Sequence, residues 1–163
     1  VADIGFIVNT MNGGNNWQLC ESVTDNNMTA VQFTNRNEAW AVGWHGTILK
    51  SNDSGQTWEM VNGRTSNDLE QVAFADGNRG LAVGQHGTIT MTQDGGRTWT
   101  EIESDIWDNI RGLYFASDQE GWAVGDRGLI THTINGGRTW EHQKSGWWYT
   151  LTDVYSSILK KVG

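Results

Sequence analysis

Apolar and polar residues alternate along most of this chain in short runs, the two-residue period of strands that bury one face. The clearest stretch reads Met28-Thr-Ala-Val-Gln-Phe-Thr34, turns, and continues as Glu38-Ala-Trp-Ala-Val-Gly43. His45-Gly-Thr-Ile-Leu-Lys50 follows, then a second turn and Trp58-Glu-Met-Val-Asn62. Val, Ile, Trp and Thr fill the runs while Gly and Asn bound them, which predicts strands A to D joined by tight turns. The pattern returns with Val72 and Phe74 on A, Leu81-Ala-Val-Gly84 on B, Gly87-Thr-Ile-Thr90 on C and Trp99 on D. A third copy carries Leu113 and Phe115, Trp122-Ala-Val-Gly125, Gly128-Leu-Ile-Thr131 and Trp140. No long helical pattern competes.

The turn between C and D fixes the period. Ser51-Asn-Asp-Ser-Gly-Gln-Thr-Trp58 recurs as Thr92-Gln-Asp-Gly-Gly-Arg-Thr-Trp99, Thr133-Ile-Asn-Gly-Gly-Arg-Thr-Trp140 and, more loosely, Thr10-Met-Asn-Gly-Gly-Asn-Asn-Trp17. The starts at 10, 51, 92 and 133 are each 41 residues apart, the mark of a repeat architecture. At the third position Asn12, Asp53, Asp94 or Asn135 can accept bonds from backbone N–H groups ahead of it, and glycine supplies positive φ. Trp17, Trp58, Trp99 and Trp140 then anchor each turn against its sheet. Because Asn stands in for Asp at two of the four positions, charge is not required, and the expected role is structural rather than catalytic.

The two ends are out of phase in a complementary way. Ile4-Gly-Phe-Ile-Val-Asn-Thr10 aligns with Arg127-Gly-Leu-Ile-Thr-His-Thr133 as strand C, and Trp17 to Val23 reads as strand D. Leu151-Thr-Asp-Val-Tyr-Ser-Ser157 continues strand A, and Ile158-Leu-Lys-Lys-Val-Gly163 takes the place of strand B without its Trp-Ala-Val-Gly signature. Four periods come to 164 residues against a chain of 163. These observations predict an all-β propeller domain over residues 1–163, with four-stranded blades and a composite closing blade built from both ends. A linear stack would leave sheet edges open. Two other arrangements fit the same phase: composite blades shared between two chains in an eight-bladed homodimer, or four repeats of a longer propeller. Phe33, Phe74 and Phe115 share an inner-strand position that Ser156 breaks, so the composite blade should be the weakest.

Composition narrows the partners. The 21 Gly and 10 Trp suit short strands and tight turns, and Pro is absent. A formal net charge of -8 argues against tracking nucleic-acid phosphates and against attraction to anionic membranes. No run approaches the ~20 apolar residues of a membrane span. Cys20 is the sole cysteine, excluding an intrachain disulfide and a Cys-based metal site. It shares its repeat position with Val61 and Ile102, so a buried thiol is expected.

In an up-and-down blade the C–D and A–B turns share one face, and the B–C turns and D–A connectors share the other. Loops carry function on a packed scaffold, and the second face is the candidate binding surface. Its B–C turns supply Trp44 and His45, Gln85 and His86, and Asp126 and Arg127. Its connectors supply Asp25 and Asn26, Ser66 and Asn67, Trp107 and Asp108, and Trp148 and Tyr149, with Trp147 beside them. These positions vary between repeats, whereas the glycines at 46, 87 and 128 do not. The connector aromatics suit stacking or hot-spot contacts, or packing between blades. His45 and His86 are equivalent, but the same position holds Arg127 and Ile4, so loop capping is expected rather than a metal site.

The Trp-Ala-Val-Gly-x-x-Gly runs at 40–46 and 122–128, each followed by the 41-residue-period turn, are similar to the Asp-box (BNR) repeat. In this combination the chain most resembles the photosystem II stability/assembly factor family over nearly its whole length. The Asp-box alone also occurs in sialidases, sortilin-type receptors and glycosidases, so by itself it specifies fold. The resemblance implies a non-enzymatic propeller without cofactor that binds a protein partner, in a thylakoid-lumen, periplasmic or extracellular setting. Members of that family resemble seven-bladed rings, are longer, and bind through a basic surface, whereas the seven arginines here are scattered over an acidic chain. A glycan is the alternative ligand for the exposed aromatics. Enzymatic readings fare worse. No arginine cluster with a Tyr–Glu pair suggests a sialidase, and Asp108 and Asp126 could be forced into facing glycosidase carboxylates without their spacing demanding it.

Overall fold

The computed structural model describes residues 5–20 and 23–155. A hairpin, β1 (Ile7–Asn9) with β2 (Gln18–Cys20), leads into three four-stranded antiparallel meanders. The first contains β3 (Met28–Phe33), β4 (Ala39–Gly43), β5 (Thr47–Ser51) and β6 (Glu59–Asn62). The second contains β7 (Leu69–Phe74), β8 (Gly80–Gly84), β9 (Ile89–Thr92) and β10 (Thr100–Ile102). The third contains β11 (Ile110–Phe115), β12 (Gly121–Gly125), β13 (Ile130–Thr133) and β14 (Glu141–Gln143). Each sheet runs in sequence order, as expected for propeller blades A to D. The A strands approach one another, β3 against β7 and β7 against β11, so they form the inner edge. The D strands are mostly exposed and form the outer edge.

The sheets bury their faces on one another, which places each core between blades. Ile7 and Cys20 of the hairpin pack with Met28, Ala41, Leu49 and Trp58. Trp40, Val42 and Ile48 of the first blade pack with Leu69, Val72, Ala82 and Trp99 of the second. Leu81, Val83 and Ile89 meet Ile110, Leu113 and Trp140 of the third. Strands β4 and β8 are buried at every residue, so they read as continuous apolar runs rather than half-buried alternations. The burial of Cys20 pushes its thiol pKa up, and its Sγ donates to the Gly55 carbonyl at 3.0 Å.

The Asp-box turn of one blade rests on strand B of the preceding blade. A Cβ on Gly96 would fall inside the Trp40 ring, and one on Gly137 would collide with Leu81. The closing tryptophans follow the same rule. Trp58, Trp99 and Trp140 are 6%, 3% and 9% exposed, but Trp17 is 62% exposed. The anchoring expected of Trp17 is therefore corrected: each such ring packs toward the preceding sheet, and among the described residues no sheet precedes β1–β2. Phe33 is exposed for a related reason. Phe74 stacks on Trp40 at 5.2 Å, whereas among the described residues the hairpin offers Phe33 no strand-B side chain.

Among the described residues β1–β2 has no third strand. Residues 151–155 carry no strand; the Leu151 N–H donates to the Gly125 carbonyl at 2.9 Å and the segment lies against Gly112. Ser156 and the strand B expected beyond it lie outside the described residues.

Candidate functional site

The B–C turns are two-residue hairpin tips with positive φ at both central positions. His45, His86 and Arg127 have φ of 55°, 54° and 54°. Glycine is required next in each, because the connector of the following blade passes so close that a Cβ at 46, 87 or 128 would collide with the carbonyls of Thr65, Ile106 or Trp147. This geometry explains the unvarying glycines and holds the neighbouring side chains outward.

The connectors lace these tips together. Asn26 Nδ2 donates to Thr47 Oγ1 at 2.8 Å, and Asn67 Nδ2 repeats the bond to Thr88 Oγ1 at 2.7 Å. The His45 N–H donates to Asp68 at 2.8 Å, Gln85 Nε2 donates to the same carboxylate at 2.9 Å, and the His86 N–H donates to Asn109 at 2.9 Å. His45 Nδ1 lies 3.2 Å from Asn26 Oδ1. Both histidines thus sit within hydrogen-bonded loop caps, and no cluster of three or more His, Cys, Asp or Glu suited to a metal occurs among the described residues.

The third blade departs from this lacing. Where the first two have Asn paired with Thr, it has Asp108 and Leu129. The Asp108 carboxylate pairs instead with the Arg127 guanidinium. Asp126 is drawn into a second cluster that sequence reasoning missed. It accepts from Arg111 Nε and Nη2 at 3.2 Å each, from Asn109 Nδ2 at 2.8 Å and from Thr150 Oγ1 at 3.1 Å. Arg111 Nη1 also reaches Glu70 at 2.9 Å, bridging two blades. Its hydrogen bonds hold the Asp126 carboxyl below the usual carboxylate range, and the two carboxylates raise the Arg111 pKa. Asp108 and Asp126 each face a guanidinium, which replaces the facing-carboxylate arrangement weighed above.

Arg111 and Glu70 reach this place because each inner strand carries a bulge. The register shifts between Met28 and Ala30, Leu69 and Gln71, and Ile110 and Gly112 leave Thr29, Glu70 and Arg111 outside the ladder. The available signal was opposite charges at one repeat position of an otherwise apolar strand.

The same cleft occurs twice on this face. In the second blade a cavity of about 570 Å³ is lined by His86, Glu101, Glu103 and Trp107. One period on, a cavity of about 540 Å³ is lined by Asp108, Arg127, His142, Lys144, Trp147 and Trp148. Glu103 of the first cleft is replaced by Lys144 in the second, and His86 by Arg127, so the pair differ in polarity. Trp107 and Trp148 are 83% and 85% exposed beside them. Tyr149 and Trp44 are exposed on the same face, and Gln85 is half-buried beneath it. His132 stacks on Trp122 at 4.6 Å and contacts Glu120 at 3.2 Å, while His142 lies 3.6 Å from Asp105.

The opposite face is structural in geometry. Asp53 Oδ1 accepts from the Gln56 and Thr57 N–H groups at 3.0 and 2.9 Å, and Asp94 Oδ1 accepts from the Thr98 N–H at 2.9 Å. Asn12 accepts from the Asn16 N–H at 2.9 Å and Asn135 from the Thr139 N–H at 3.0 Å, so the neutral amide fills the same place.

Comparison with known proteins places this architecture. No curated protein sequence matches the chain. Among solved structures it is similar to YCF48 bound to D1 peptide, at 26% identity and a TM-score of 0.64, over 73% of this chain and 41% of that one. It is similar to YCF48 from Cyanidioschyzon merolae at 22% identity and a TM-score of 0.68, over 77% of this chain and 42% of that one. An ancestral GH74 enzyme matches at 20% identity and a TM-score of 0.72, over 85% of this chain and 21% of that one, and shares the fold. The chain thus spans well under half the length of each of these proteins. The family model of the photosynthesis system II assembly factor YCF48 matches residues 57–145, more than half the sequence. The chain belongs to the YCF48 family of BNR-type β-propellers.

Proposed function

We propose that this propeller works by binding rather than catalysis, and that its ligand is an extended protein segment laid across the two clefts beside Trp107 and Trp148. The observation that carries this reading is the likeness to a YCF48 propeller solved with a D1 peptide. The clefts add chemistry to it. Arg127 and Lys144 favour an acidic side chain in the third-blade cleft, while Glu101 and Glu103 favour a basic one in the second. Exposed tryptophans supply the apolar anchors that dominate such contacts. The carboxylates singled out as candidate acids or bases have structural bonds: Asp53 and Asp94 in their turns, Asp126 with Arg111, and Asp108 with Arg127.

The test is titration of a labelled D1 peptide into the full chain, followed by anisotropy. Saturable binding should weaken at least about tenfold in Arg127→Ala and Trp148→Ala. Arg36→Ala, on the Asp-box side, should leave it unchanged. Binding that survives both cleft variants would remove these clefts from the reading. Glycan recognition is a second reading, favoured by the exposure of Trp107 and Trp148, and tryptophan quenching by a free glycan that cannot be competed by peptide would favour it. Hydrolysis of a sialoside or β-glucan, abolished by Asp126→Asn, would make the chain an enzyme.

A further inference from the structure

The third-blade cleft differs from the second at three positions that act together. Asn67 gives way to Asp108, Thr88 to Leu129 and His86 to Arg127. The two cavities are alike in volume, about 570 and 540 Å³, so the exchange alters the chemistry and not the room. In the second blade Asn67 is held by the buried Thr88 hydroxyl at 2.7 Å. Leu129 is buried in the same place and offers no such acceptor. The carboxylate that replaces the asparagine is therefore without its lace, and its charge is met by the Arg127 guanidinium.

That pair is placed to open. The Asp108 side chain is 26% exposed and that of Arg127 70%, so solvent reaches the cation while the anion lies inside. Asp108 Oδ1 is buried and accepts no aligned hydrogen bond among the described residues, so the contact is one of charge. The Arg127 backbone is fixed in the left-handed region at φ 54°, which leaves the side chain to swing. His45 and His86 are exposed at the same tip of the earlier blades, so the exposure belongs to the turn itself. Exposed ion pairs are weak, and a second carboxylate can take the place of the first with little loss. It cannot simply join it. A guanidinium has five N–H donors but one charge, and two carboxylates side by side repel.

We infer that Asp108 is an internal stand-in for the ligand's acid. It occupies Arg127 in the free chain and is displaced by one carboxylate of the bound segment, so the pair selects for an acidic residue at this cleft. Lys144 lines the same cavity, has no ion pair among the described residues, and keeps the cleft cationic during the exchange. The inference rests on the peptide-binding reading and adds what the third-blade cleft selects.

Asp108→Asn combined with Leu129→Thr tests it, because this double variant rebuilds the Asn–Thr lace of the earlier blades while Arg127 loses its internal acid. The probes are the labelled D1 peptide and the same peptide with all its carboxylates made amides, both followed by anisotropy. The native chain should prefer the acidic form, and the double variant should raise that preference about fivefold. Adding Arg127→Ala should erase the gain. If both peptides bind and the preference is unchanged or lower in the double variant, the pair is purely structural and the inference is overturned, while the peptide reading stands. If neither form binds any of these chains, the peptide reading fails, and the Arg127 guanidinium decides the inference separately. Acetate should then shift its Nε–H nitrogen resonance at about fivefold lower concentration in the double variant than in the native chain. Equal concentrations overturn the inference.

Discussion

Glu70 and Arg111 occupy the same repeat position in adjacent blades, yet Oε1 of one lies 2.9 Å from Nη1 of the other. A bulge lifts each residue off its strand, and opposite charge at one repeat position becomes a clasp between blades. Arg111 then turns its other nitrogens to Asp126 on the loop. The clasp joins the scaffold to the candidate binding face, so changes here should be felt in both stability and loop order.

Removing Arg111 leaves two half-buried carboxylates without their cation. Arg111→Ala should cost about 1–3 kcal/mol. A gentler replacement, Arg111→Met with Glu70→Gln, should recover part of that. The sign with pH follows from Asp126, whose carboxyl is held low in the native chain. Its stabilisation is full above the ordinary carboxylate pKa of about 4 and is lost as pH falls. The gap in melting temperature between native chain and Arg111→Ala should therefore narrow below about pH 4. A gap that is constant from pH 7 to pH 3 contradicts the ion-pair account.

The backbone of this design was legible because it is periodic. Four Asp-box turns at fixed spacing and the alternating Val, Ile and Trp runs predict strand order, and the described blades follow it. Arg111 and Glu70 were not legible, because a bulge shifts which way a side chain points and strand periodicity assumes no shift. Trp17 failed for a different reason. Its sequence matches Trp58 and Trp99, but burial depends on a neighbouring sheet that lies outside its own repeat. The cleft residues on loops were recognisable as candidates, while their pairing into Asp108–Arg127 depended on Leu129 replacing a threonine in space.

Gly14 and Gly96 separate backbone strain from steric contact. Both have positive φ, +90° and +78°, so alanine meets a similar conformational cost at either, roughly 1–2 kcal/mol. Only Gly96 lies under an aromatic ring. Gly96→Ala should cost several kcal/mol more than Gly14→Ala, by about 2 or more, because Trp40 is enclosed and has nowhere to move. Thermal melts of the two variants at a dilution where any self-association is absent make the comparison. Equal losses would mean the Gly96–Trp40 contact yields easily.

Two closing tryptophans differ in one hydrogen bond. Trp58 Nε1 donates to the Gly55 carbonyl at 3.2 Å, while Trp99 Nε1 is buried with no partner among the described residues. Trp99 compensates with aromatic contacts, 5.6 Å from Trp40 and 6.0 Å from Phe74. Trp99→Ala should cost about 3–5 kcal/mol. With phenylalanine the order separates: Trp58→Phe loses a hydrogen bond to a carbonyl that keeps its Asn9 Nδ2 and Cys20 Sγ donors, whereas Trp99→Phe removes an N–H that has no partner among the described residues, so Trp58→Phe should be worse by about 1 kcal/mol. Urea unfolding of the two variants decides it, and the reverse order would mean that Trp99 packing outweighs the missing bond.

The Asp-box carboxylates are held low by the turns they close. Hydrogen bonds from the Thr57 hydroxyl and N–H lower Asp53 to about 2, and those from the Thr98 N–H and hydroxyl lower Asp94 to about 2. A carboxyl depressed in the folded state stabilises fully above its unfolded value of about 3.9 and loses that contribution as pH falls through the folded value. The relevant window is therefore about pH 4 down to pH 2. Asparagine keeps the turn because Asn135 reverses one bond: its Nδ2 donates to Thr139 Oγ1 at 2.7 Å, where Asp94 Oδ2 accepts from Thr98 Oγ1 at 2.7 Å. The double variant Asp53→Asn, Asp94→Asn should fold at neutral pH with a modestly lower melting temperature and a flatter decline between pH 4 and pH 2. If its melting temperature falls as steeply with acid as that of the native chain, groups other than these two carboxylates govern the acid transition.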